Sequence, residues 1–147
     1  MFHKFAFHKF AVLALGMFVS VGLAHAEAPA SSASAQPTRV FELRTYTAPP
    51  GKLEELHARF RSHTMRIFER HGMTNIGYWT PKDAPLAANT IIYVLSHESR
   101  DAAKKSWAAF GADPEWQRVK AASEAQGPIV TKVESMFLDA TDYSPIK

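Results

Sequence analysis

Glu42, Arg44 and Tyr46 occupy every second position of the segment Arg39–Thr47. In a strand this spacing puts a carboxylate, a guanidinium and a phenol on one face. Arginine grips a carboxylate with two parallel donors, and tyrosine can give or take a proton. The trio is therefore a candidate site for a polar or anionic ligand. A structural reading stands beside it: Glu42 and Arg44 pair with each other, or with Lys132 and Glu134 on a neighbouring strand. The aromatic residues Tyr78, Trp79, Tyr93, Trp107 and Trp116 allow the same two readings. Small-molecule sites are mostly apolar with a few polar groups, and aromatic rings also fill cores and dimer contacts. Trp107 and Trp116 lie on helical patterns and read as plain core.

Histidine narrows the chemistry further. Beyond the first 26 residues the chain carries His57, His63, His71 and His97. His57 and His63 do not share a helical face, and His63 and His71 enclose no carboxylate motif. No protein-only metal site is expected, and no cofactor. His97 ends a strand beside Glu98; it is either a general base or a surface or cap residue. There is no cysteine, which excludes disulfides, thiol catalysis and zinc–thiolate sites. Hydrolase nucleophile elbows, Walker loops and dinucleotide glycine fingerprints are absent too. The candidate ligand-binding set is Glu42, Arg44, Tyr46, Tyr78, Trp79, Tyr93 and His97, with no catalytic residue assigned.

The elements that must position this set follow from periodicity. Arg39–Thr47 is a first strand, stopped by Ala48-Pro49-Pro50-Gly51. Lys52–His71 is a helix with Leu53, Leu56, Phe60, Thr64, Ile67 and His71 on one face. Arg59, Arg61, Arg66 and Arg70 fall on the other side, as a solvated surface or a contact for an anionic partner. Gly72 is a left-handed terminator. In Met73–Thr80, a second strand, Thr74, Ile76 and Tyr78 alternate with Met73, Asn75, Gly77 and Trp79. Thr90–His97 is a third strand. Ser99 caps a helix carrying Ala103, Trp107 and Phe110, ended by Gly111. Asp113-Pro114 starts another, with Trp116, Val119 and Ser123 on one face and Gly127-Pro128 at its end. Ile129–Leu138 is the last strand, and residues 139–147 are a tail.

Strand, helix, strand, strand, helix pair, strand is the split βαβ order of an α+β, ferredoxin-like fold with a four-stranded antiparallel sheet. Helices cover one face of such a sheet. The other carries apolar and aromatic residues and needs a cover. No internal repeat supplies one, so a second copy of the chain is expected, and a ligand cavity between the two sheets with it.

The chain opens on a different pattern. Lys4 and Lys9 precede an apolar run from Phe10 to Leu23, and Ala24-His25-Ala26 matches a small-x-small cleavage site. The run is shorter than the roughly 20 residues that span a bilayer. Residues 1–26 therefore read as a signal peptide, touching the membrane only in transit. The expected location is periplasmic or secreted, after cleavage near Ala26. Removing it leaves 121 of the 147 residues, enough for one domain. Fifteen basic residues then face 14 acidic ones. With no basic stripe among aromatics, no nucleic-acid partner is expected. Residues 27–38, rich in Ala, Ser and Pro, read as a disordered linker to a folded domain over 39–138.

Phe41-Glu42-Leu43-Arg44-Thr45-Tyr46-Thr47 with Pro50-Gly51-Lys52 resembles the opening of the NIPSNAP family. Tyr93-Val94-Leu95 resembles it as well, as does Ser99–Ala102 through Trp107, Phe110 and Asp113-Pro114-Glu115-Trp116. The resemblance covers about Arg39 to Leu138. It implies a dimeric α+β barrel, in which two ferredoxin-like sheets meet across a two-fold axis. That superfamily includes cofactor-independent monooxygenases, haem-degrading enzymes and small dehydratases or isomerases. The export signal departs from the mitochondrial setting of some family members. Three functions stand open: a homodimer binding a small molecule, a monooxygenase-like enzyme, and a protein-interaction module.

Overall fold

The computed structural model describes residues 39–147. The expected signal peptide (1–26) and linker (27–38) lie outside the described residues. Strands β1 (Val40–Thr47), β2 (Thr74–Trp79), β3 (Thr90–His97) and β4 (Lys132–Asp139) form one sheet in the order β2-β3-β1-β4. Every neighbouring pair is antiparallel. This is the α+β, ferredoxin-like arrangement expected from the element order. β4 starts at Lys132 rather than Ile129. Gly127, at φ +107°, turns the chain, Ile129 is fully buried, and pairing begins once Thr131 N–H reaches Thr47 O at 2.8 Å.

The expected single helix over Lys52–His71 is three pieces: α1 (Leu53–Arg59), a π-helical segment (Phe60–Thr64) and α2 (Met65–Arg70). Backbone angles stay helical across both joints. The π segment admits an extra residue per turn, and the Thr64 hydroxyl donates to Arg59 O, five residues back, at 3.2 Å. Leu56, Phe60, Thr64, Ile67 and Phe68 are buried. Gly72, at φ +75°, ends α2 in the left-handed conformation that side chains disfavour.

α3 (Arg100–Ala112) begins where Ser99 Oγ accepts the Ala102 N–H at 3.0 Å. It runs past Gly111, its expected end, to Ala112. Asp113 stops it by turning extended and capping α4 (Pro114–Ser123), accepting the N–H groups of Glu115 and Trp116. α4 buries no side chain completely. Trp116 lies against Phe110, ring centroids 4.4 Å apart.

The core lies between the sheet and the helices. Ile91, Tyr93 and Leu95 of β3 pack on Leu56, Phe60, Ile67, Phe68 and Phe110. Complete burial of each apolar side chain contributes about 1.5–3 kcal/mol. Strict alternation in β2 fails, because the ladder shifts between Asn75 and Gly77. A bulge sets two residues against one. Asn75 and Tyr78 consequently both face the helices: Asn75 bonds Met65 O and Glu69, and Tyr78 stacks on Tyr93. Ile76 and Trp79 join Phe41, Val94 and Leu138 around a groove on the opposite face, bordered by tail residues.

Three of the four arginines are exposed, as a solvated face expects, and Arg59 is buried, but all four are paired. Arg66 and Arg70 pair with Glu115, and Arg70 also with Asp113, tying α2 to α4. Arg61 pairs with Glu54, and Arg59 is buried against Glu124. For Arg59, Arg66 and Arg70 the partners are Asp113, Glu115 and Glu124 at α4, which the pattern of one helix does not reveal.

Candidate functional site

Alternation in β1 puts Glu42, Arg44 and Tyr46 on one face, as read from the sequence. That face is the helix-covered one. The expected cavity between two sheets is therefore not where this set lies. Arg44 pairs with Tyr93 on β3 and Ser135 on β4, and Tyr46 with Ile91 and Val133. Tyr93 and Ile91 are core residues under the helices, so the register fixes the side.

Glu42 is 1% exposed and accepts four hydrogen bonds. Arg44 Nη1 and Ser135 Oγ each donate to Oε1 at 2.6 Å. Trp107 Nε1 donates to Oε2 at 2.7 Å and His97 Nε2 at 3.0 Å. Burial alone would raise the carboxyl pKa. The bonds from His97, Ser135 and Trp107, with the charge of Arg44, overcome it and lower the pKa to about 2. Two oxygens with four donors have no lone pair left for a substrate proton. Glu42 is thus an anchor and not a general base.

What it anchors is Arg44. The guanidinium carbon sits 4.1 Å from the centre of the Trp107 ring and 5.6 Å from that of Tyr46. A cation on an aromatic face is held electrostatically as well as by packing. The nearby phenols and Glu42 outweigh burial and raise the Arg44 pKa. Among the described residues the buried Arg44 Nε has no partner, and neither has the buried Tyr93 hydroxyl. Tyr93 is completely buried, its ring 5.3 Å from that of Tyr46. Burial and the Tyr46 phenol push the Tyr93 pKa well up, against the opposing charge of Arg44. It therefore stays an O–H donor. A fixed cation and a neutral phenol are chemistry for holding an oxyanion, whether carboxylate, enolate or phenolate.

His97 is 2% exposed and is neither a surface nor a cap residue. With Glu42 ionised, its Nε2 carries the hydrogen of their bond, leaving Nδ1 as the remaining ring position. Nδ1 is buried without a partner among the described residues. Tyr78 lies on the same helix-covered face, stacked on Tyr93 with centroids 5.3 Å apart. Trp79 does not join them. The β2 bulge turns it to the opposite face, where it is 55% exposed. Its ring lies over Gly77, where a Cβ would come within 2.5 Å of it.

Two residues that sequence reasoning missed complete the node. Trp107 is not plain core, because its indole N–H bonds Glu42. Ser135, not Lys132 or Glu134, is the partner that β4 supplies. Lys132 and Glu134 are exposed and pair with each other at 2.9 Å. The available signal for Ser135 was a small hydroxyl residue between Val133 and Phe137 on the inward-facing alternation of β4. Among the described residues no group of three or more His, Asp or Glu is placed to hold a metal ion.

The sheet order, the helix layer and the polar node on its covered face define an α+β protein of ferredoxin-like fold. The NIPSNAP family model matches residues 41–145, and the chain belongs to that family. A NIPSNAP family protein of unknown function from Agrobacterium tumefaciens superposes with a TM-score of 0.65 at 20% identity, covering 75% of this chain and 95% of its own. A NIPSNAP-like domain protein from Burkholderia xenovorans gives 0.63 at 23% identity, covering 74% and 90%. SnoaB, a cofactor-independent oxygenase from Streptomyces nogalater, gives 0.50 at 16% identity, covering 74% and 98%. At these identities the likeness is one of fold. Comparison with curated proteins finds no matching sequence.

Proposed function

We propose that this chain is an exported, homodimeric NIPSNAP protein that binds a small molecule bearing an oxyanion, held by Arg44 and Tyr93 on the helix side of its sheet. One observation carries the reading. Glu42 fixes a part-buried guanidinium against Trp107, and among the described residues the buried Arg44 Nε and the Tyr93 hydroxyl are left without partners. Buried donors are seldom left unpaired without reason. Tyr46, Tyr78 and Trp107 supply the aromatic surroundings for a flat ligand. Export rests on the charged start, apolar run and Ala24-His25-Ala26 pattern, and the dimer on the uncovered sheet face.

A second reading has its own support. Cofactor-independent oxygenation needs an electron-rich substrate that itself reacts with oxygen. A cation beside a neutral phenol stabilises the ionised form of such a substrate. SnoaB, described as an enzyme of this kind, shares the fold.

Salicylate, an aromatic ring with a carboxylate and a phenol, is the probe. Titration into the purified protein should give saturable binding. Arg44→Met should weaken it about tenfold or more, since hydrogen bonds to a charged group contribute about 1.5–3 kcal/mol each. Tyr93→Phe should weaken it less. Native mass spectrometry of the protein as purified should show a retained small molecule that Arg44→Met loses. Equal binding by wild type and both variants would refute the site. Oxygen uptake with a retained ligand separates the two readings.

A further inference from the structure

The helix layer holds a buried guanidinium, away from Glu42 and Arg44. Arg59, the last residue of α1, is 5% exposed. Its Nη1 donates to Ser123 Oγ at 3.2 Å and to Glu124 Oε1 at 2.9 Å. Its guanidinium carbon is 5.1 Å from the centre of the Trp116 ring. Its Nε–H has no partner among the described residues. Arg59 lines a cleft of about 640 Å³ between α4 and the α1–π segment, walled by Ala58, Val119 and Ala122, with His63 and Arg118 also lining it. Small-molecule sites run to roughly 300–1,000 Å³, so the cleft is large enough for one.

Its electrostatics favour an acid. Glu124 already offsets Arg59, and Glu55, the carboxylate lining the cleft, is engaged by Lys52 at 2.7 Å. Among the lining charges Arg118 remains, with Arg59 lining the cleft beside it. The three wall residues are small and apolar, and α4 buries none of its side chains completely, so this face is not closed by the protein's own packing. The π segment carries His63 to the cleft; such segments recur at functional sites because the extra residue reshapes one side of a helix.

We propose that this cleft binds a small organic acid, its carboxylate meeting Arg118 and Arg59 and its apolar body lying on Ala58, Val119 and Ala122. The proposal does not depend on the Arg44 site. Decanoate is the probe, titrated into the purified protein and followed by proton–nitrogen NMR. Saturable shifts are expected at residues 58–63 and 118–126. Arg118→Glu, a surface change that leaves the Arg59 pair intact, should weaken binding about tenfold or more. Ala122→Trp should fill the cleft and abolish it, while salicylate binding is unchanged. Failure of decanoate to saturate, shifts centred on residues 42–46 and 93, or wild-type affinity in Ala122→Trp would each overturn the proposal.

Discussion

Glu42 carries a negative charge in the protein interior and keeps it because four donors surround it. Removing one member of such a buried pair costs about 3–5 kcal/mol, since the partner is left uncompensated. Glu42→Gln should therefore lower unfolding free energy by about that much in urea titrations. Its amide nitrogen would also confront donors where an oxygen had accepted. The pH dependence follows from the same group. Its pKa is lowered from 4.5 to about 2 in the folded chain. The stability it contributes is fully present above 4.5 and is lost as pH falls through 2. Glu42→Gln should flatten that limb of the stability curve; an unchanged slope between those values would contradict the anchor role. At this scale the sequence displayed Glu42, Arg44 and Tyr46 as a set, because a strand's period of two is local. It hid Trp107 and Ser135, which lie 65 and 93 residues from Glu42.

Elements show where a glycine is required and where it is only convenient. Gly72 ends α2 at φ +75°, and a Cβ there meets nothing closer than Ser106 Oγ at 3.7 Å. Its need is conformational. Gly72→Ala should cost about 1–2 kcal/mol, the penalty of a left-handed residue with a side chain. Gly77 has no such backbone, and its Cβ would meet only the far end of the exposed Trp79 ring. Gly77→Ala should displace that ring, seen as a change in tryptophan emission, with a much smaller stability change. Equal losses from the two substitutions would undo this distinction. Element identities were legible because capping and periodicity are local: Ser99, Gly72 and Asp113-Pro114 act where their spacing placed them. The π segment and the β2 bulge were not, since each comes from a single extra residue accommodated by packing.

At the scale of the whole molecule, the described helices cover one face of the sheet. On the other, Trp79 is 55% exposed, Met136 59% and Leu138 36%. Among the described residues, the tail borders a groove on that face beside Phe41 and Leu138. Two such faces packed about 10 Å apart would remove these side chains from water. Light scattering of the purified protein at micromolar concentration should give twice the chain mass. Met136→Glu should shift it toward the monomer, because an unpaired charge would sit between the sheets. A monodisperse monomer from the wild type would sink the dimer. The same exposed face was read from the sequence, but Glu42, Arg44 and Tyr46, expected at a cavity on it, lie on the helix-covered side. Alternation says which residues share a side and not which side the helices take.

By itself, the order of residues determined where strands and helices fall along the chain and hence the ferredoxin-like topology, though not the π segment or the β2 bulge, along with the grouping of Glu42, Arg44 and Tyr46. These depend on interactions within a few residues or on the connection rules of a sheet. Tertiary structure alone decided that this group lies under the helices, that Trp79 leaves it, and that Trp107, Ser135 and His97 converge on one carboxylate. It also decided that Arg59 is buried at a cleft. Each of those outcomes is a contact between segments far apart in the chain, made only when the core closes.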